Sequence, residues 1–157
     1  MTAFDRCVEL ILSDRIEGGL SMDRDDKGNW TGGAVGRGAL RGTNFGISAA
    51  AYPNLDIKGL TRAKAIAIYK KDYWDAFGCA KLEPPLALVV FDAAVQHNPI
   101  AVRRIFKETA GLAGEERILD FQARRGVYYA GLPTFQKYGR GWMRRLLTIH
   151  IEALRLN

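Results

Sequence analysis

Glu17 is followed at once by Gly18 and Gly19, and three aspartates, Asp23, Asp25 and Asp26, stand six to nine residues downstream. A carboxylic acid that stays protonated, set near a second carboxylate, is the equipment for breaking a glycosidic bond. The acid protonates the leaving oxygen and the carboxylate serves the anomeric carbon. Such an acid needs a partly desolvated position to hold its proton near neutral pH. Glu17 has a suitable place, at the end of a predicted helix where glycine lets the chain turn away, the natural wall of a cleft. The aspartates are close enough in sequence to curl back beside it. They do not follow the alternating ligand pattern of a calcium loop. His97 and His150 are scattered, and Cys7 and Cys79 lack metal-ligand spacing, so neither a metal nor a cofactor is expected.

The elements that must position these acids are mostly helical. Thr2 and Asp5 form a capping-box pattern ahead of Phe4, Val8 and Ile11, which predicts a helix over residues 3–15. From Leu20 to Ser48 seven glycines punctuate a polar stretch (Gly28, Gly32, Gly33, Gly36, Gly38, Gly42 and Gly46), too many for a helix. Irregular loops with a small β-hairpin are expected there, and loops of this length inside a folded chain are commonly functional. Thr61 then caps a helix carrying Ile66, Tyr69, Tyr73 and Phe77. Pro84-Pro85 opens another that must stop near Asn98, and Asn98-Pro99 starts the next. Residues 115–130 and the stretch marked by Trp142, Leu146, Ile149 and Ala153 complete the helices. The expectation is one mainly α domain over residues 1–157, with a glycine-rich active-site segment at about 17–48 and a helical body at about 60–157.

The 157 residues carry 23 Lys and Arg against 17 Asp and Glu, a net charge of +6 that draws the protein to polyanions without choosing among them. Cys7 and Cys79 are expected to be free, partly buried thiols. No apolar run reaches the roughly 18–20 residues of a membrane span. The first residues lack the pattern of a secretory signal, so a cytoplasmic start is expected. The pairs Arg124-Arg125 and Arg144-Arg145 are expected on solvated helix faces.

The segment Glu17-Gly18-Gly19-Leu20-Ser21-Met22-Asp23-Arg24-Asp25-Asp26 resembles the opening of glycoside hydrolase family 108, a family of lysozymes found as phage endolysins and bacterial secretion-activator muramidases. In that family an Asn-Asp-Pro-x-Asp-like turn follows, then a glycine-rich stretch and a Thr-x-x-Gly-Ile motif. Asp23 and Asp26 match the turn, and Gly42-Thr43-Asn44-Phe45-Gly46-Ile47-Ser48 matches the closing motif, with Asn29-Trp30-Thr31-Gly32-Gly33 between. The likeness continues through Ala51-Tyr52-Pro53, Tyr73-Trp74 and Phe91-Asp92-Ala93-Ala94-Val95-Gln96-His97, then from Ala123-Arg124-Arg125 to Gly141-Trp142. Met22 stands where the family tends to have Asn and Arg24 where it tends to have Pro, so the likeness does not fix the turn before Asp26. Asn98-Pro99 replaces a His-Gly-like ending.

The resemblance implies a lysozyme-like helical domain that hydrolyses the β-1,4 bond between N-acetylmuramic acid and N-acetylglucosamine in peptidoglycan. Glu17 would be the acid, Asp26 would position water or stabilise the cation, and Thr43 would help to hold the water. Asp23 is the alternative second carboxylate, or a turn-former bonding its own backbone. Trp30 and Tyr52 are candidates for stacking on sugar faces, against a loop role for Trp30 and simple packing for Tyr52. Asp92 and Gln96, four apart on one helical face, either line the cleft or belong to an internal network. His97 is expected to be packed and hydrogen-bonded, and Trp74 and Trp142 to be core. An endolysin acting as a monomer is expected, reaching the wall from the host cytoplasm through a holin lesion, without nucleic-acid binding or stable membrane insertion. A lytic transglycosylase and a non-catalytic wall-binding module are the rival classes.

Overall fold

The computed structural model describes residues 1–13 and 19–156. Glu17, the expected acid, lies outside the described residues. The chain divides into two compact units, one made of Met1–Cys7 with Lys71–Asn157 and the other of Val8–Lys70. Among the described residues there are six α-helices and one three-stranded antiparallel sheet of very short strands, a mainly α architecture. No helix among them is long and apolar enough to cross a membrane.

The first unit is helical. After α1 (Ala3–Ile11), which begins there, come α3 (Pro84–Gln96), α4 (Pro99–Glu108), α5 (Gly114–Ala130) and α6 (Phe135–Leu154). The starts follow the sequence. Thr2 and Asp5 bond reciprocally, Thr2 N to Asp5 Oδ2 at 2.7 Å and Asp5 N to Thr2 Oγ1 at 3.1 Å. Asn98 caps α4 through Ala101 N at 2.9 Å, and proline opens both α3 and α4. Helix α3 is apolar all round apart from Asp92 and the terminal Gln96, and is buried from Pro85 to Ala94, as a helix without a solvated face must be. It packs against α4, α5 and α6. Phe91 joins Trp74 and Phe4 in an aromatic cluster with ring centres 5.4–6.0 Å apart. Trp74 is core, as expected, whereas Trp142 is half-buried and stacks on Tyr129 at 5.0 Å. Cys7 and Cys79 are free and buried, and burial pushes both thiols up to about 12.

The second unit holds the glycine-rich segment. Strands β1 (Leu20–Ser21), β2 (Thr43–Asn44) and β3 (Ile47–Ser48) pair in that order, with Ser21 opposite Thr43 and Thr43 opposite Ser48. Phe45 and Gly46 turn the β2–β3 hairpin, both with positive φ (51° and 73°), the conformation a two-residue hairpin favours. Phe45 is the one described non-glycine residue in that region, and its carbonyl accepts a 2.8 Å bond from the buried Tyr69 hydroxyl. Thr61 caps α2 (Arg62–Ile68) through Lys64 N at 3.3 Å. The helix continues as a π-helical segment, Tyr69–Asp75, in place of the uniform α-helix that the spacing predicts. Widening the turn brings residues five apart toward one face, and Tyr69 and Trp74, five apart, are both buried.

Candidate active site

The acidic turn assembles around its backbone. Asp26 caps a single 3-10 turn, Lys27–Asn29, its Oδ1 accepting from Gly28 N at 2.8 Å. It is half-buried, and Gly28 N is the partner of its carboxylate among the described residues. Asp23 Oδ1 accepts from Asp25 N at 2.9 Å, so this exposed side chain forms the turn by bonding its own backbone. The Trp30 indole donates from Nε1 to the Arg24 carbonyl at 2.9 Å and closes the turn that Met22 and Arg24 left open in the sequence. Its ring is half-buried, and its backbone bridges to Leu40.

Asn29 connects this turn to the sheet, a role the sequence did not announce. The side chain has no exposed surface. Its Nδ2 donates to the Asp23 carbonyl at 2.9 Å, with Ser21 Oγ at a long 3.5 Å, and its Oδ1 accepts from Thr43 Oγ1 at 2.6 Å. Its own carbonyl accepts from Arg41 N and Gly42 N at 2.9 and 3.0 Å. Gly42 is required beside it: φ is 84°, and a Cβ there would stand 2.5 Å from the Ser21 carbonyl oxygen. Asp23, Asp26 and Thr43 are thus gathered in one unit, with Asp26 and Thr43 two bonded steps apart through residues 28 and 29. A cavity of about 420 Å³ in the same unit is lined by Met22, Leu40, Arg41, Asn54, Asp56, Ile57 and Lys58.

The model of glycosyl hydrolase family 108 matches residues 11–97, more than half of the chain and the whole of this turn and sheet. The chain belongs to glycosyl hydrolase family 108. Its coarse chemistry is therefore hydrolysis of glycosidic bonds. A search of curated proteins returned no match. Among solved structures the family 108 chain is similar to Brucella abortus SagA, with 22% identity, a TM-score of 0.81 and coverage of 98% of this chain and 94% of that one. At that identity the likeness speaks for the fold, and it extends over α4–α6, beyond the span that the family model matches.

The remaining expected residues of this family 108 chain are divided between the two units. Tyr52 is half-buried in the second unit, its carbonyl accepting from Leu55 N at 3.1 Å. Asp92 and Gln96, in the first unit, belong to an internal network; for Asp92 the cleft-wall role expected beside it does not fit. Asp92 has no exposed surface, and its two oxygens are taken by Arg125 Nη2 at 2.7 Å and Arg145 Nε at 2.8 Å. Burial alone would push the Asp92 carboxyl up, but the Arg145 and Arg125 charges and their hydrogen bonds outweigh it and hold the carboxyl below its ordinary range. Gln96 Oε1 accepts from the Tyr129 hydroxyl at 3.3 Å.

The expectation of solvated arginine pairs needs correction. Arg125 is wholly buried, the Arg145 side chain is 10% exposed, and both close on Asp92. Adjacent helical residues point about 100° apart, so one of each pair faces inward while Arg124 and Arg144 stay outside. Arg125 Nε also donates to His97 Nε2 at 3.1 Å. Burial, and then the Arg125 charge, push His97 down to about 3, so the imidazole is neutral and packed, as its position in the sequence suggested. The 520 Å³ cavity between α3 and α5, lined by Pro84, Pro85, Leu86, Leu112, Arg117 and Ile118 among others, contains none of the expected site residues.

Proposed function

We propose that this family 108 hydrolase is an N-acetylmuramidase, a lysozyme cleaving the β-1,4 bond between N-acetylmuramic acid and N-acetylglucosamine in bacterial peptidoglycan. The observation that carries the reading is the tie between Asp26 and Thr43. A half-buried carboxylate and a hydroxyl are held by consecutive residues of one turn, in the segment that directly follows Glu17. Glu17 gives its proton to the glycosidic oxygen as the C–O bond breaks and oxocarbenium character develops. Asp26 orients a water toward the anomeric carbon, favours the developing cation and takes the proton the water loses as its oxygen bonds that carbon, and Thr43 Oγ1 holds that water. Asp23, bonded to its own turn, is the weaker candidate for the second carboxylate. The half-exposed Trp30 ring and Tyr52 supply faces for sugar stacking. The net charge of +6 suits adhesion to an anionic wall polymer.

The biological setting belongs to the same proposal. The enzyme acts as a monomeric phage endolysin, held in the host cytoplasm until a holin lesion admits it to the wall. Co-expression with and without a holin tests this, since lysis that does not depend on the holin would remove that setting.

The chemistry is tested by mass spectrometry of products from purified sacculi, with wild type and Glu17→Gln. Hydrated reducing muramic acid ends, and a loss of at least about 100-fold in the variant, are expected. Anhydro ends would make the protein a lytic transglycosylase. Sacculus binding without release by either protein would make it a binding module.

A further inference from the structure

We infer that Asn29 is a positioning residue that sets the polarity of the Thr43 hydroxyl, making it an acceptor toward the attacking water. The inference rests on the muramidase reading and adds to it a residue and a direction of hydrogen bonding.

One chain of hydrogen bonds fixes the direction of the Thr43 hydroxyl. The Asp23 carbonyl oxygen can only accept, so the Asn29 group 2.9 Å from it must be the amide nitrogen. The amide oxygen therefore faces Thr43, 2.6 Å from Oγ1. That oxygen cannot donate, so the single hydroxyl proton of Thr43 is committed to it. Only lone pairs remain on Thr43 Oγ1 for anything on its other side. A water held there donates one O–H to Thr43 and keeps an oxygen lone pair for the anomeric carbon. Its second O–H is available to a carboxylate, the role given to Asp26. A hydroxyl free to rotate would also donate to the water and engage the lone pair that must attack.

The surroundings hold Asn29 in this one arrangement. The side chain has no exposed surface, and its carbonyl pins Arg41 and Gly42 immediately ahead of Thr43. A buried amide with both ends engaged has no low-cost flipped alternative, because a flip would set two acceptors against each other at Asp23 and leave a donor facing Thr43. Thr43 itself is half-buried, on a strand paired on both sides.

Steady-state hydrolysis of soluble peptidoglycan fragments by folded variants tests the inference, with thermal unfolding recorded for each. Thr43→Val is expected to lower kcat about 100-fold with KM within about twofold, and Thr43→Ser to return to within about tenfold of wild type. Asn29→Ala is expected to lose kcat comparably, and the double variant with Thr43→Val to be no slower than Thr43→Val alone. Losses that multiply in the double variant would overturn the inference, and so would wild-type kcat in Thr43→Val. If Asn29→Ala does not fold, Asn29→Asp decides. It keeps an oxygen for the Thr43 proton but loses the donor to the Asp23 carbonyl. Retention of kcat to within about tenfold supports polarity, and a loss as deep as that of Thr43→Val would show that Asn29 only braces the loop. Wild-type protein yielding no hydrated products would instead bring down the muramidase reading itself, separately from these outcomes.

Discussion

Two aspartates, one in each unit of the chain, show how environment decides what a carboxylate is for. Asp92 lies within an apolar helix with no surface exposed, and both of its oxygens are taken by arginines. Asp26 is half-buried, holds one backbone N–H, and belongs to a turn with little apolar support. A carboxylate whose lone pairs are occupied by guanidinium groups joins helices together, and one that meets a single backbone N–H among the described residues is suited to meet a water or a developing cation. The helical unit fixes its charges by mutual neutralisation. The sheet unit uses small polar side chains and backbone bonds, which leave acceptors available.

Substituting each aspartate is the sharpest way to break this contrast. Asp92→Asn should lower unfolding stability by about 3–5 kcal/mol, because Arg125 and Arg145 would be left buried without their anion. Chemical denaturation checks this, and activity per folded molecule should remain near wild type. Asp26→Asn should do the reverse, costing about 100-fold in kcat, or roughly 2.7 kcal/mol of barrier, with only a small change in the denaturation midpoint. If Asp26→Asn unfolds the protein while Asp92→Asn abolishes turnover in folded protein, the contrast is wrong.

The helical unit also carries a dependence on pH. His97 titrates at about 3 in the folded chain against its ordinary 6.5, so between these values the unfolded chain binds the proton and the folded chain does not. Stability is full above about pH 6.5 and falls as pH drops through that window, at up to about 1.4 kcal/mol per pH unit. The Asp92 carboxyl, held low, adds its loss only at the acid end, as pH falls through its folded value. His97→Gln should flatten the thermal midpoint between pH 6 and about pH 4. An unchanged slope in that variant would assign the acid sensitivity to other groups.

Much of the helical unit was legible because its signals are local. Thr2 with Asp5, Pro84-Pro85 and Asn98-Pro99 mark helix starts through bonds to residues three or four away. The hairpin was half legible. Glycine density argued against helix, but β1 finds β2 across more than twenty residues, and a two-residue strand carries no periodic signal. Asp26 and Thr43 were named from a family likeness, whereas Asn29, which links them, looked like one more polar residue in a polar loop. Its burial depends on long-range pairing that the local sequence does not encode. Arg125 and Arg145 were misplaced for a related reason. A pair of arginines on a helix reads as a wet face until a buried carboxylate on another helix turns one of them inward. The π-helical segment left only a faint mark, the five-residue interval between Tyr69 and Trp74.

The two sheltered thiols have a consequence for a protein that meets changing surroundings. With both cysteines at about 12, the reactive thiolate fraction at neutral pH is on the order of 10⁻⁵. Disulfide exchange and thiol oxidation both proceed through the thiolate, so Cys7 and Cys79 are slow toward either in the folded chain. Both cysteines are therefore held as thiols by the fold itself, whether the solution around it is reducing or mildly oxidising.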